Sequence, residues 1–163
     1  MADRVVDRRM LLRGAGVAGA SAIGATAWAS TARAADRNRN GDNDVTGSWV
    51  IVHRDDPPAP PERATAVIAF AEGGVLITQD IAPLAAAGLG AWSREHDKVK
   101  VDFWTGAPGE KGSPAVAIEV KARGTVDHDK MSGTYTFTVH AAKNLKKVLQ
   151  RGTGKFEGHR LEA

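Results

Sequence analysis

The chain has 163 residues, no cysteine, and 22 Lys+Arg against 19 Asp+Glu. Five of the Arg and two of the Asp lie in residues 1–34, so the remainder carries 17 of each sign and offers no basic face for nucleic acid. Without cysteine there are no disulfides, no thiol catalysis and no cysteine-ligated metal, and the fold must be held by its core.

Residues 1–34 read as an export signal. A charged stretch, Met1–Arg13, precedes an Ala/Gly-rich stretch, Gly14–Ser30, and Ala32-Arg33-Ala34 offers a cleavage site before Ala35. The middle stretch is too short and too weakly apolar for a transmembrane helix. Arg8 and Arg9, in Asp7-Arg8-Arg9-Met10-Leu11-Leu12-Arg13, resemble the paired arginines of the twin-arginine (Tat) motif, with Asp7 and Leu11 where Ser/Thr and Phe are commoner. That motif implies export of a folded protein to an extracellular, cell-wall-associated or periplasmic site. No stable membrane insertion is expected after cleavage. Residues 35–46 form a polar, flexible leader. Its Asp36–Asp44 run imitates the start of a calcium loop, but the twelfth position, where a bidentate Glu belongs, is Gly47.

From Gly47 to Ala163 the chain reads as one β domain. Runs rich in Val, Ile, Thr and aromatics are separated by Gly, Pro and Asp, and eight are expected: Gly47–Arg54, Glu62–Ala71, Gly74–Asp80, Gly88–Glu95, Lys98–Trp104, Ser113–Val126, Lys130–His140 and Gln150–Leu161. Val99, Val101 and Phe103 alternate with Lys98, Lys100 and Asp102, the period-two pattern of a strand with one buried and one wet face. Tight connections follow the second, fourth and sixth runs. Longer ones (Asp55–Pro61, Ile81–Ala87, Thr105–Gly112, Ala141–Leu149) follow the first, third, fifth and seventh. Up-and-down strands would gather the long loops at one end, as in an eight-stranded antiparallel barrel with one open mouth. Closure also removes the two exposed edges of a flat sheet. A two-sheet Greek-key sandwich is the competing architecture. The loop holding Pro57-Pro58-Ala59-Pro60-Pro61 is expected to be a stiff, extended flap.

Gly47-x-Trp49 on the first run and Arg160 on the last resemble the signature of the calycin superfamily, the lipocalins and their relatives. In that superfamily the guanidinium packs over the indole and helps close the barrel base, a contact of about 1 kcal/mol. The Phe70-x-x-Gly-Gly turn, Gly90-Ala91-Trp92 and the terminal Gly158-x-Arg160-Leu161 are similar to small bacterial lipocalin-like exported proteins. The chain lacks the cysteines and long C-terminal helix of many secreted lipocalins, so their retinol- or haem-type ligands do not carry over.

If Trp49 points inward, Ile51 and His53 do too. Trp92, Phe103, Tyr135 and Phe137 then line an apolar cup whose polar tips are His53, Thr78, Tyr135 and Gln150, the general form of a small-ligand pocket. Gly152 and Gly154, on the inward register of the last run, would leave room inside. No two histidines share a ligand spacing, and no metal or cofactor is expected. No Ser-His-Asp order with a nucleophile elbow and no phosphate-binding glycine loop is present. The leading expectation is therefore an exported, lipocalin-like barrel binding a small, mostly apolar molecule. One alternative is a barrel cyclase or isomerase of the allene-oxide-cyclase or dirigent type, with His53, Tyr135 and Gln150 orienting the substrate. Another is a cell-surface interaction module with a filled barrel. The oligomeric state is left open.

Overall fold

The structure, a computed structural model, describes residues 44–59, 62–82, 86–108 and 114–162. The expected export signal over 1–34, with its Arg8-Arg9 pair, and residues 35–43 of the expected leader lie outside the described residues. Eight strands follow in order: β1 (Gly47–Asp55), β2 (Ala64–Ala71), β3 (Val75–Ala82), β4 (Gly88–Glu95), β5 (Lys98–Ala107), β6 (Val116–Asp127), β7 (Lys130–Ala141) and β8 (Asn144–Arg160). Each pairs antiparallel with its sequence neighbours, and β8 pairs with β1. The result is a closed, eight-stranded, up-and-down barrel rather than a sandwich.

Period-two alternation sets the two faces. On β1, Trp49, Ile51 and Asp55 are buried, with His53 on the same register, and Arg54 is exposed between them. The interior packs Leu76, Val99, Ile118, Val120, Val139 and Phe156 with Trp49 and Ile51. The outer wall carries Lys100, Arg123, Thr134, Lys155 and Arg54 in one cross-strand row, all exposed.

The largest departure from the sequence reading is β8. Its expected start at Gln150 moves back to Asn144, and the expected long loop over 141–149 shrinks to a two-residue turn, Ala142-Lys143. Register irregularities at Val139/His140 and His140/Ala141 let the β7–β8 ladder continue past the point where alternation falters. Three longer connections, 56–63, 83–87 and 108–115, therefore remain at one end. The proline loop also differs. The Pro57–Pro58 bond is cis, and residues 57–59 turn back, with Ala59 N donating to Asp56 O at 3.3 Å, instead of extending.

The opposite end is closed by the residues just before β1. Val45 is fully buried beneath Trp49, whose Nε1 donates to Val45 O at 2.9 Å. The Arg160 guanidinium lies 4.6 Å from the Trp49 ring. It donates from Nη1 to Thr46 O at 2.6 Å and from Nη2 to Asp44 O, and its Nε meets Asp129 at 3.2 Å. Gly47 adopts φ 116°, where a side chain is strained, and an added Cβ would press on Arg160 Nη1 at 3.2 Å.

The interior glycines are not vacant space. Phe103 faces Gly90, Tyr135 faces Gly154, Phe137 faces Gly152 and Phe156 faces Gly133, each pair directly opposite across two strands. A Cβ on any of these glycines would collide with the facing residue. At Gly152 and Gly154 the missing side chain's space is taken by the facing ring, so β8 contributes little bulk of its own there while β7 supplies aromatics.

Candidate functional site

Inside the barrel lies a cavity of about 60 Å³. At roughly 10–15 Å³ per water by this measure, it has room for about four to six waters. Most of its wall is apolar, including Ile51, Ile68, Phe70, Val101, Phe103 and Phe156. Among the described residues the polar lining comes from Thr78, Asp80, His53 and Tyr135. They gather toward the end that carries the 56–63 and 83–87 connections, because His53 stands near the end of β1 and Asp80 near the end of β3. The side chains of His53 and Asp80 are each 13% exposed, so solvent reaches this end.

A hydrogen-bonded chain connects these groups. The Tyr135 hydroxyl donates to Asp55 Oδ1 at 2.5 Å. Its oxygen lies 3.4 Å from His53 Nδ1, and His53 Nε2 lies 3.3 Å from Asp80 Oδ1. The Tyr135 proton is committed to Asp55, so Nδ1 must carry a proton to bond the phenol oxygen. The Nε2–Asp80 contact then needs one further proton, on the ring or on the carboxyl. The imidazole stands edge-on to the phenol ring, centroids 5.8 Å apart at 85°. Strand pairing builds this arrangement. Asp55 and Tyr135 both pair with Gly154, and only a residue without a side chain there lets them meet across β8. Asp55 is 5% exposed, and the phenol hydrogen bond offsets the cost of burying its carboxyl.

Of the residues singled out from the sequence, His53, Thr78, Phe103 and Tyr135 line this cavity. Trp92, Phe137 and Gln150 do not. Trp92 packs edge-on against Phe70, centroids 5.7 Å apart, and donates to Ala71 O at 2.9 Å. Phe137 is buried against Gly152. Gln150 pairs with Val139 beyond the cavity, and its buried Oε1 has no hydrogen-bond partner among the described residues. Asp55 and Asp80 were missed. Both were legible by continuing the alternation: Asp55 stands two residues past His53, and Asp80 two past Thr78.

His140 belongs to a different place. Opposite Ala117 on β6, it packs against Trp104, centroids 5.2 Å apart, and lies 4.0 Å from Glu119 Oε2. On the outer wall, Glu119 hydrogen-bonds Lys121 at 2.8 Å and, with its charge, holds the lysine above the ordinary lysine range. Among the described residues no group of three His, Asp or Glu side chains is placed to hold a metal ion.

The cavity thus combines an apolar body with one hydrogen-bonding, proton-carrying end. No protein-family model matches the sequence, and no curated protein matches it.

Proposed function

We propose that this protein is an exported, lipocalin-like barrel that binds a small, mostly apolar ligand in its cavity. The observation that carries the reading is the segregation inside the barrel, with apolar side chains along the wall and the polar groups gathered at one end. That is how small-molecule sites combine affinity with orientation. The calycin-like reading is supported by Arg160 over Trp49 at 4.6 Å beside Gly47, on a closed eight-stranded barrel. Export is supported by Arg8-Arg9 and the Ala32-Arg33-Ala34 site. A protein free of the bilayer is supported by the charged row on the outer wall, since a lipid-facing wall would be apolar. No helix among the described residues is long and apolar enough to cross a membrane.

The test is mass spectrometry on protein purified from its own producing cells, native and after solvent extraction. A stoichiometric apolar compound released on denaturation is the expected result. A clean mass, with no uptake of small apolar probes, would sink the reading. Export is checked in the same spectrum by a mature N-terminus at Ala35, and by its loss in the Arg8→Lys/Arg9→Lys variant.

A second reading, an acid–base enzyme of the cyclase or isomerase kind, is favoured by the Asp55–Tyr135–His53–Asp80 chain, which connects a buried carboxyl to the cavity. Turnover of a bound compound, lost in His53→Ala and Tyr135→Phe, would establish it. Binding without turnover would exclude it.

A further inference from the structure

The balanced charge of residues 35–163, 17 of each sign, hides a local imbalance on the outer wall. Lys100 on β5 stands directly opposite Arg123 on β6, and both are exposed. Residues so paired have Cβ atoms about 5 Å apart, and like charges there repel. A hydroxyl flanks the pair on each side: Ser93 faces Lys100 from β4, and Thr134 faces Arg123 from β7. The neighbouring carboxylates turn to a third cation. Asp102, two residues beyond Lys100, lies 3.9 Å from Lys121 Nζ, and Glu119 lies 2.8 Å from the same nitrogen. No carboxylate among the described residues is ion-paired with Lys100 or Arg123.

These side chains line a groove of about 610 Å³, open to solvent, on the opposite face of the strands from the interior cavity. That volume is ordinary for a small-molecule site and about ten times that of the cavity inside. Three cations, Lys100, Lys121 and Arg123, line it against one carboxylate, Asp102, and much of the rest is hydroxyl. A phosphate monoester carries a charge of about −1.5 to −2 at pH 7, close to what the Lys100–Arg123 pair leaves unbalanced. The guanidinium fork can take two of its oxygens while the ammonium takes the third. A carboxylate offers one charge and two oxygens, enough for one of the two cations. Beyond the phosphate, Thr134, Thr136 and Asp102 offer donors and acceptors suited to hydroxyl groups.

We propose that this outer groove binds a phosphate monoester of a small hydroxylated molecule, its phosphate held between Lys100 and Arg123 and its hydroxyls against Thr134, Thr136 and Asp102. The failure of this assignment would leave the interior-cavity reading untouched.

The test uses three probes built on one ring: glucose 6-phosphate, glucuronate and glucose. Each is titrated at pH 7 and fixed ionic strength into the full chain as purified, and the amide signals of Lys100, Arg123 and Thr134 are followed by NMR. Glucose 6-phosphate should shift these signals to saturation and bind at least about fivefold more tightly than glucuronate, and glucose should not shift them. Lys100→Gln and Arg123→Gln should each weaken the ester at least about fivefold. Lys155→Gln, which removes a cation from the same row outside the groove, should weaken it less than about twofold. Equal weakening in Lys155→Gln would overturn the site in favour of diffuse surface charge. Glucuronate binding as tightly as the ester would overturn the phosphate assignment, and inorganic phosphate binding as tightly would overturn the hydroxylated body. Vesicles containing phosphatidic acid carry the same phosphate on a lipid. Capture on them without saturation by glucose 6-phosphate would overturn the small-molecule assignment, and no response to any of these probes would overturn the site.

Discussion

Tyr135 and Asp55 stand 80 positions apart in sequence and share a hydrogen bond of 2.5 Å inside the barrel. Tyr135→Phe would leave the Asp55 carboxyl buried without its phenol donor, at a cost of about 1–3 kcal/mol. Urea denaturation of the single variants and of the Tyr135→Phe/Asp55→Ala double variant measures the coupling. The double variant should lose about 1 kcal/mol less than the sum of the singles. Strict additivity would show that the bond contributes nothing.

Gly152 faces the Phe137 ring, and an added methyl would enter the ring's own volume. Gly152→Ala should cost about 1–3 kcal/mol by overpacking. Phe137→Leu in the same chain should recover part of that loss, because the smaller side chain vacates the contested space. A Gly152→Ala barrel with an unchanged urea midpoint would contradict the packing described.

Arg160 does two jobs at the closed end: it covers the Trp49 indole and it donates to the Thr46 and Asp44 carbonyls. Arg160→Lys keeps the charge but loses the planar fork. We expect a loss of about 1–2 kcal/mol. The Trp49 indole N–H, which donates to buried Val45, should then exchange faster with deuterium. Unchanged exchange would mean that Val45 holds its place without the arginine.

Phe103 fills one side of the cavity from opposite Gly90. Phe103→Ala should enlarge the cavity. Its cost should fall at or below the low end of the roughly 3–5 kcal/mol typical of fully buried phenylalanine, because Phe103 is only partly buried. Uptake of a two-ring probe that the parent protein rejects, read by calorimetry, is the expected gain.

Lys121 supplies the pH prediction. The Glu119 hydrogen bond and then its charge raise the folded-state pKa, partly opposed by desolvation, with Asp102 adding the weakest upward push. A raised lysine pKa adds stability that is complete below the unfolded value and is lost as pH climbs through the folded one. The effect is confined to the alkaline limb, and the exposure of the Lys121 side chain keeps it small. Glu119→Gln should lower the Lys121 titration midpoint followed by NMR. An unmoved midpoint would show that the pair does not persist in solution.

Most of the barrel was legible because alternation, punctuation and loop lengths agree through β1 to β7. The β7–β8 hairpin was not, because a register irregularity at His140 breaks the period-two pattern that marks a strand, and Lys143, Asn144, Lys146 and Lys147 read as a polar loop. His53 and Tyr135 were readable as inward polar residues on apolar strands. Their carboxylate partners were hidden by habit of reading: an Asp at a strand end looks like turn punctuation. The role of the β8 glycines was hidden for a different reason. What fills a missing side chain is the residue directly opposite, and that register is a property of pairing, not of local sequence.

Because β8 returns to β1, with Leu161 N donating to Ser48 O at 2.8 Å, every strand lies beside its sequence neighbours and no strand is structurally first. The ladders are unequal, however. The β1–β8 ladder joins seven residue pairs and the β3–β4 ladder four. In the natural order the short ladder joins strands that are close in sequence, and the longer one closes the widest loop. A circular permutant linked through the closed end and opened between β3 and β4 would reverse this, leaving the shortest ladder to offset the largest loop-closure entropy. Its native-state hydrogen exchange should therefore unzip first between Val75 and Ala91.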